Sequence, residues 1–148
     1  MEPRAGTRRG TVTERKTNRD FARLIQRLVD EWYPDAEEIV LVLDNLSTHS
    51  PAALYETLAP AEARRLVEKL EIHYTPKHGS WLNVAEMELS VVARQCLDRR
   101  IPDLGVLRRE VAAWVATRNA AVVKVDWQFT TADARVKLKR LYPSIELQ

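Results

Sequence analysis

Apolar residues at helical spacing mark the first third of the chain. Phe21, Leu24, Ile25, Leu28 and Trp32 follow one face of a helix, with Thr17 or Asn18 placed to cap it and Pro34 to stop it. The pattern then changes to Ile39-Val-Leu-Val-Leu43, a continuous apolar run that predicts a parallel strand buried on both faces. Ser50-Pro51 supplies a cap and a first-turn proline for a short helix over Ala52–Leu58. Pro60 opens another over Ala61–Leu70, whose Ala63, Leu66, Val67 and Leu70 share one side. Glu71-Ile-His-Tyr-Thr75 is the next predicted strand, and the β-branched alternation of Thr11-Val-Thr-Glu14 predicts a short one near the start.

The loop Pro76–Ser80 leads into a predicted helix from Trp81 to Leu97. Pro102-Asp103 starts the next, through Leu104, Leu107, Val111, Trp114 and Val115. Thr130-Thr-Ala-Asp133 has the form of a capping box for a last helix, Ala132–Leu141. Strand, helix, strand, helices, strand, helices is an α/β order, with two neighbouring parallel strands joined by a helical crossover. Residues 1–10 lack periodicity and read as a flexible basic tail. Residues 11–119 form the main domain, and residues 120–148 a C-terminal helical tail.

Composition adds limits. The 148 residues carry 45% hydrophobic and 30% charged side chains, ordinary for a globular protein and enough for a real core. No apolar run is long enough to span a bilayer and no signal-peptide pattern appears, so no membrane partner is expected. The single cysteine, Cys96, rules out an internal disulfide and fits a reducing cytoplasm. The net charge is only +2, but Arg4, Arg8, Arg9, Arg15, Lys16, Arg19, Arg23 and Arg27 crowd the first 27 residues, and Arg135–Arg140 is again basic. Such patches suit phosphate contact, or are simply solvated helix faces.

Two carboxylates carry the candidate chemistry. Asp44 ends the apolar run, where an open α/β sheet binds ligands, although Asp44-Asn45 equally suits a plain turn. His49 is placed to orient a neighbour, to contact phosphate or to cap the loop. On the helix after Trp81, Leu82, Ala85, Leu89, Ala93 and Cys96 make one stripe, and Glu86 lies closer to it than Glu88, which makes Glu86 the expected inward-facing acid. The crossover brings that helix towards Asp44, where two carboxylates would repel unless a cation neutralised them. Hard oxygen ligands select Mg²⁺ or Mn²⁺. His73, His78 and Cys96 match no zinc-ligand spacing. Lys77 and His78 read as DNA or phosphate contacts or as loop polarity. Trp81, Trp114 and Trp127 read as core or interface, and Trp81 is also placed to stack on an unpaired base.

Together these residues resemble the catalytic region of bacterial insertion-sequence transposases in the mariner-related group of the DDE superfamily. The matching pieces are Leu41-Val-Leu-Asp-Asn-Leu-Ser-Thr-His49, His73-Tyr-Thr-Pro-Lys-His-Gly-Ser-Trp-Leu-Asn-Val-Ala-Glu86 and Val125–Arg135. The resemblance implies a partial RNase H-like fold lacking its N-terminal strands, with Asp44 as second and Glu86 as third acid of a triad and Asn83 one turn before Glu86 as a positioning residue. It implies two Mg²⁺ or Mn²⁺ ions, one activating a nucleophile and the other stabilising the leaving oxygen during attack on a DNA phosphodiester. DNA, as transposon ends and target, is the implied partner, at the bacterial nucleoid.

The family's first aspartate has no counterpart: Asp20, Asp30 and Asp35 fall on or beside the first helix. This predicts an incomplete two-metal site and a chain inactive alone. It also predicts a separate N-terminal half carrying the first aspartate and a helix-turn-helix, with a second copy of the chain as a further candidate partner. The alternative expectation is a non-catalytic DNA-binding or interaction module of transposase descent. A third is a self-contained nuclease in which Glu88 replaces the missing acid.

Overall fold

In the computed structural model, which describes residues 1–75, 84–126 and 130–137, the first helix, α1 (Asn18–Arg27), starts with a capping box. The Thr17 hydroxyl accepts from the Asp20 amide and the Asp20 carboxylate accepts from the Thr17 amide. The helix runs on through one π-helical turn, Leu28–Trp32, closed by the Tyr33 amide donating to the Leu28 carbonyl. Next come β1 (Ile39–Leu43), α2 (Pro51–Thr57), α3 (Pro60–Glu68) and β2 (Leu70–Tyr74). They are followed by α4 (Val84–Cys96), α5 (Leu104–Ala120) and α6 (Thr131–Lys137). The order is α/β, consistent with a partial RNase H-like fold. Asp103 caps α5 and Thr130 with Asp133 makes the predicted box before α6.

β1 and β2 pair in parallel, Ile39 opposite Leu70 through Leu43 opposite Tyr74, with α2 and α3 as the crossover between them. One face of this pair is buried. Ile39, Leu41, Leu43 and Leu70 pack on a core made by Phe21, Ala22, Ile25, Val29, Ala53, Leu54, Ala63 and Leu66. The other face is not: Val40 and Val42 are 61% and 59% exposed. The expectation of a strand buried on both faces is thus corrected. A continuous apolar run signals the capacity to be covered twice, and among the described residues helices pack on one side alone.

Thr11–Glu14 forms no strand. Its β-branched alternation has no ladder to join, and its polar groups meet side chains instead. Arg27 Nη1 donates to Thr11 Oγ1 at 3.0 Å and Arg108 Nε to the Val12 carbonyl at 3.3 Å. Within residues 1–10, Gly6 and Arg8 are buried. Glu2 and Thr7 form an antiparallel bridge around Gly6, whose φ of +70° favours glycine and whose Cβ would meet the Val123 carbonyl oxygen at 3.1 Å.

Arg8 is the centre of this packing, with its side chain 4% exposed. Its Nη1 donates to the carbonyls of Gly6 and Val123, and Nε and Nη2 grip both oxygens of Glu88 on α4. Its backbone amide and carbonyl are matched by the Asn119 side chain of α5. On the other side, Arg9 stacks over Trp32 and Tyr33. The N-terminal segment therefore straps the α4–α5 hairpin to the α1 unit. Arg8, with Arg118 beyond it, holds the Glu88 carboxyl below the usual carboxylate range.

Leu66→Ala, which empties a fully buried site, is expected to cost about 2–5 kcal/mol in urea unfolding. Glu88→Gln, which leaves Arg8 buried without its counter-charge, should cost about 2–4 kcal/mol. A carboxylate with a depressed folded pKa stabilises the fold above its unfolded value and loses that contribution as pH falls through the folded one. The wild-type chain should therefore lose stability below about pH 4 more steeply than Glu88→Gln. Parallel pH slopes for the two proteins would contradict the strap.

Candidate functional site

The parallel register brings the carboxyl ends of β1 and β2 side by side, and the residues just past them lock together. The Thr75 amide donates to the Leu43 carbonyl at 2.8 Å, and the Asn45 side-chain amide donates to the Thr75 carbonyl. Thr75 is buried there. Asp44 sits at this tip, about one-third exposed. Its Oδ1 accepts from the Leu46 amide at 3.2 Å, an Asx turn, and meets His49 Nδ1 at 2.5 Å. His49 is fixed in turn. Its ring lies 5.0 Å from Phe21 of α1, its amide closes a turn onto the Leu46 carbonyl, and its own carbonyl accepts from the Tyr74 hydroxyl at 2.9 Å.

Of the expectations for this loop, Asp44 makes the turn and His49 orients a neighbour at the same time. A carboxylate accepting from Nδ1–H keeps the imidazole in one tautomer and one orientation. What results is a preorganised acid–imidazole pair at the end of a strand covered on one face, braced by both strands and by α1.

Glu86 is exposed on α4, and the expected buried stripe faces solvent: Ala85 and Ala93 are exposed and Leu89 is 65% exposed. The buried side of α4 carries Val92, with Glu88 drawn in beside it by Arg8 and Arg118. The geometric preference for Glu86 as the inward acid is therefore corrected. α4 has apolar residues around much of its circumference, so spacing alone does not choose the packed face, and a buried arginine does. The same ion pairs dispose of the idea that Glu88 substitutes for a missing catalytic acid, because both its oxygens are taken.

Lys77, His78, Trp81 and Asn83, with Trp127, lie outside the described residues. His73 pairs with Glu71 on the exposed face of β2. Trp114 is half-buried between Arg118, stacked at 5.1 Å, and Gln95, to which its Nε1 donates. Sequence reasoning takes Arg8 only as one of a basic cluster and misses Asn119 and Arg118 altogether. Arg8 stands in a segment without periodicity, and only the fold reveals what it faces.

Among the described residues the donor set for a divalent cation is incomplete. Asp44 offers one carboxylate with Oδ1 already engaged, and Glu86 is exposed on a different element. Among the described residues no three His, Cys, Asp or Glu side chains converge in a way that would hold a metal. Nor, among these residues, is any helix long and apolar enough to cross a membrane.

Neither the curated proteins nor the solved structures yield a match to this chain. A family model does match, over residues 1–108, and its description is DDE superfamily endonuclease. That span takes in the whole α1–β2 unit, the Asp44–His49 tip and α4. The chain belongs to the DDE superfamily endonuclease family.

Proposed function

We propose that this chain supplies part of the catalytic apparatus of a DNA transposase of the insertion-sequence type, and that its 148 residues do not cleave DNA by themselves. The observation that carries this reading is the Asp44–His49 pair, held at the carboxyl end of β1 in a chain of the DDE endonuclease family. DDE superfamily nucleases act on DNA and generally use divalent metals. In this reading Asp44 is a metal-facing acid and His49 the residue that positions it. Asn45 holds the strand ends in register beneath them. Glu86, already on the open side of α4, serves as the second acid of the chain, and Lys77, His78, Trp81 and Asn83 are supporting or DNA-contacting residues of its motif. The remaining acid of the triad lies outside the Asp44 and Glu86 motifs, and the assembled enzyme works in the cytoplasm on nucleoid DNA. No step of the reaction is assigned to these residues alone, since one engaged carboxylate and one exposed glutamate do not form a two-metal site.

A second reading rests on the exposure of Glu86. If that carboxylate has no metal to serve, the chain is a DNA-binding module of transposase descent, and its binding is salt-dependent and indifferent to Asp44.

Both are tested with the purified chain, a nicked-DNA assay and Mn²⁺ titration. The preferred reading expects no strand cleavage above background and weak binding of a single Mn²⁺, lost in Asp44→Asn. His49→Ala, which frees Asp44 to rotate, should weaken that binding by about tenfold, the usual size of a lost orienting partner. Robust cleavage abolished by Glu86→Gln would show the isolated chain to be competent. Mn²⁺ binding unchanged in Asp44→Asn would leave the module reading standing.

A further inference from the structure

We infer that the groove between the Thr11–Lys16 segment and α1 is a binding site for an unpaired nucleotide of single-stranded DNA. The inference rests on the DNA-directed reading above and adds to it a place and a substrate form.

The groove measures about 370 Å³, within the range of small-molecule sites. One wall is the strap, through Thr11, Thr13, Arg15 and Lys16. The other is α1, through Phe21, Arg23, Leu24 and Arg27. Thr48 and His49 close the end. Four cationic side chains thus surround the opening against one carboxylate, Asp20, which already accepts from both the amide and the hydroxyl of Thr17 in the α1 cap. Arg27 is committed to Glu31 and Thr11. Arg15, Lys16 and Arg23 have no carboxylate partner among the described residues, and all three are exposed. Cations held near one another without counter-charge repel, and an anion is what relieves them.

The interior differs from the rim. Phe21, Leu24 and the His49 ring give it an apolar surface, and Leu24 is exposed although apolar. A free phosphate would use the rim and leave the apolar surface unmet. A duplex would present phosphates too, but its base faces are stacked against one another. An unpaired nucleotide satisfies both features: its phosphates meet Arg15, Lys16 and Arg23, and its base lies against Leu24 and His49. His49 belongs to both sites, since the same imidazole that holds Asp44 forms the end of the groove. A strand seated here therefore runs towards Asp44.

The test is fluorescence anisotropy of the full chain with a labelled ten-nucleotide oligothymidylate, its duplex with oligoadenylate, and an abasic strand of equal length. The double variant Arg15→Glu with Arg23→Glu should weaken oligothymidylate binding by at least about tenfold and flatten its salt dependence by about 1.4 in the log–log slope, the loss of two phosphate contacts. Arg64→Glu, an exposed charge reversal on α3, should leave it close to wild type. The abasic strand and the duplex should both bind more weakly than oligothymidylate. Equal weakening by Arg64→Glu and the groove double variant, or tighter binding of the duplex, would overturn the proposal. So would an abasic strand bound as well as oligothymidylate. The outcomes separate from those above. Normal strand binding by the groove variant together with Asp44-dependent Mn²⁺ binding removes the groove and spares the transposase reading. The reverse combination removes the transposase reading and spares the groove.

Discussion

A buried guanidinium must find a counter-charge, and much of this structure follows from how Arg8 does so. Left unpaired in a protein interior it would cost several kcal/mol. Paired with both oxygens of Glu88 and with two carbonyls, it becomes a fixed point between elements far apart in the chain. It sets the rotation of α4, because Glu88 must face inward. It also sets the course of the N-terminal segment, because the residues on either side of Arg8 have to reach α5 and α1. That course lays Thr11 and Val12 against Arg27 and Arg108 and leaves Arg15 and Lys16 beside α1. The basic groove is a consequence of the strap.

The second constraint is the register of the two parallel strands. Pairing Leu43 with Tyr74 sets Asp44 and Thr75 at one level, where Asn45 bridges them. His49 is then held from three directions, by Asp44, by the Phe21 ring and by the Tyr74 hydroxyl. An acid in such a setting keeps its orientation without rearrangement. The strap and the strand register meet at His49, which faces the groove on one side and Asp44 on the other.

Much of this was legible in the sequence, and the rest was not, for reasons tied to particular residues. The caps at Thr17, Asp103 and Thr130 could be read locally, because capping is a bond between near neighbours. So could the crossover from β1 to β2, because proline, serine and apolar spacing punctuate it. The sidedness of β1 could not. Val40 and Val42 are as apolar as Ile39 and Leu41, and nothing local says that only one set is covered. The rotation of α4 was misread for the same kind of reason. Leu82, Ala85, Leu89 and Ala93 make a plausible stripe, yet the face that packs is the one carrying Glu88.

What the sequence by itself determined is the α/β order, the helix boundaries within a few residues, the parallel pairing, and Asp44 with His49 as residues worth attention. These depend on short-range bonding and on periodicity, both of which lie along the chain. Only the tertiary structure decided that Arg8 is buried and that Glu88, not Glu86, points inward. It alone brought the basic residues of the strap against α1. The burial of Arg8 and the rotation of α4 turn on two charges that meet across eighty residues, and a pairing of that kind leaves no periodic trace in the sequence.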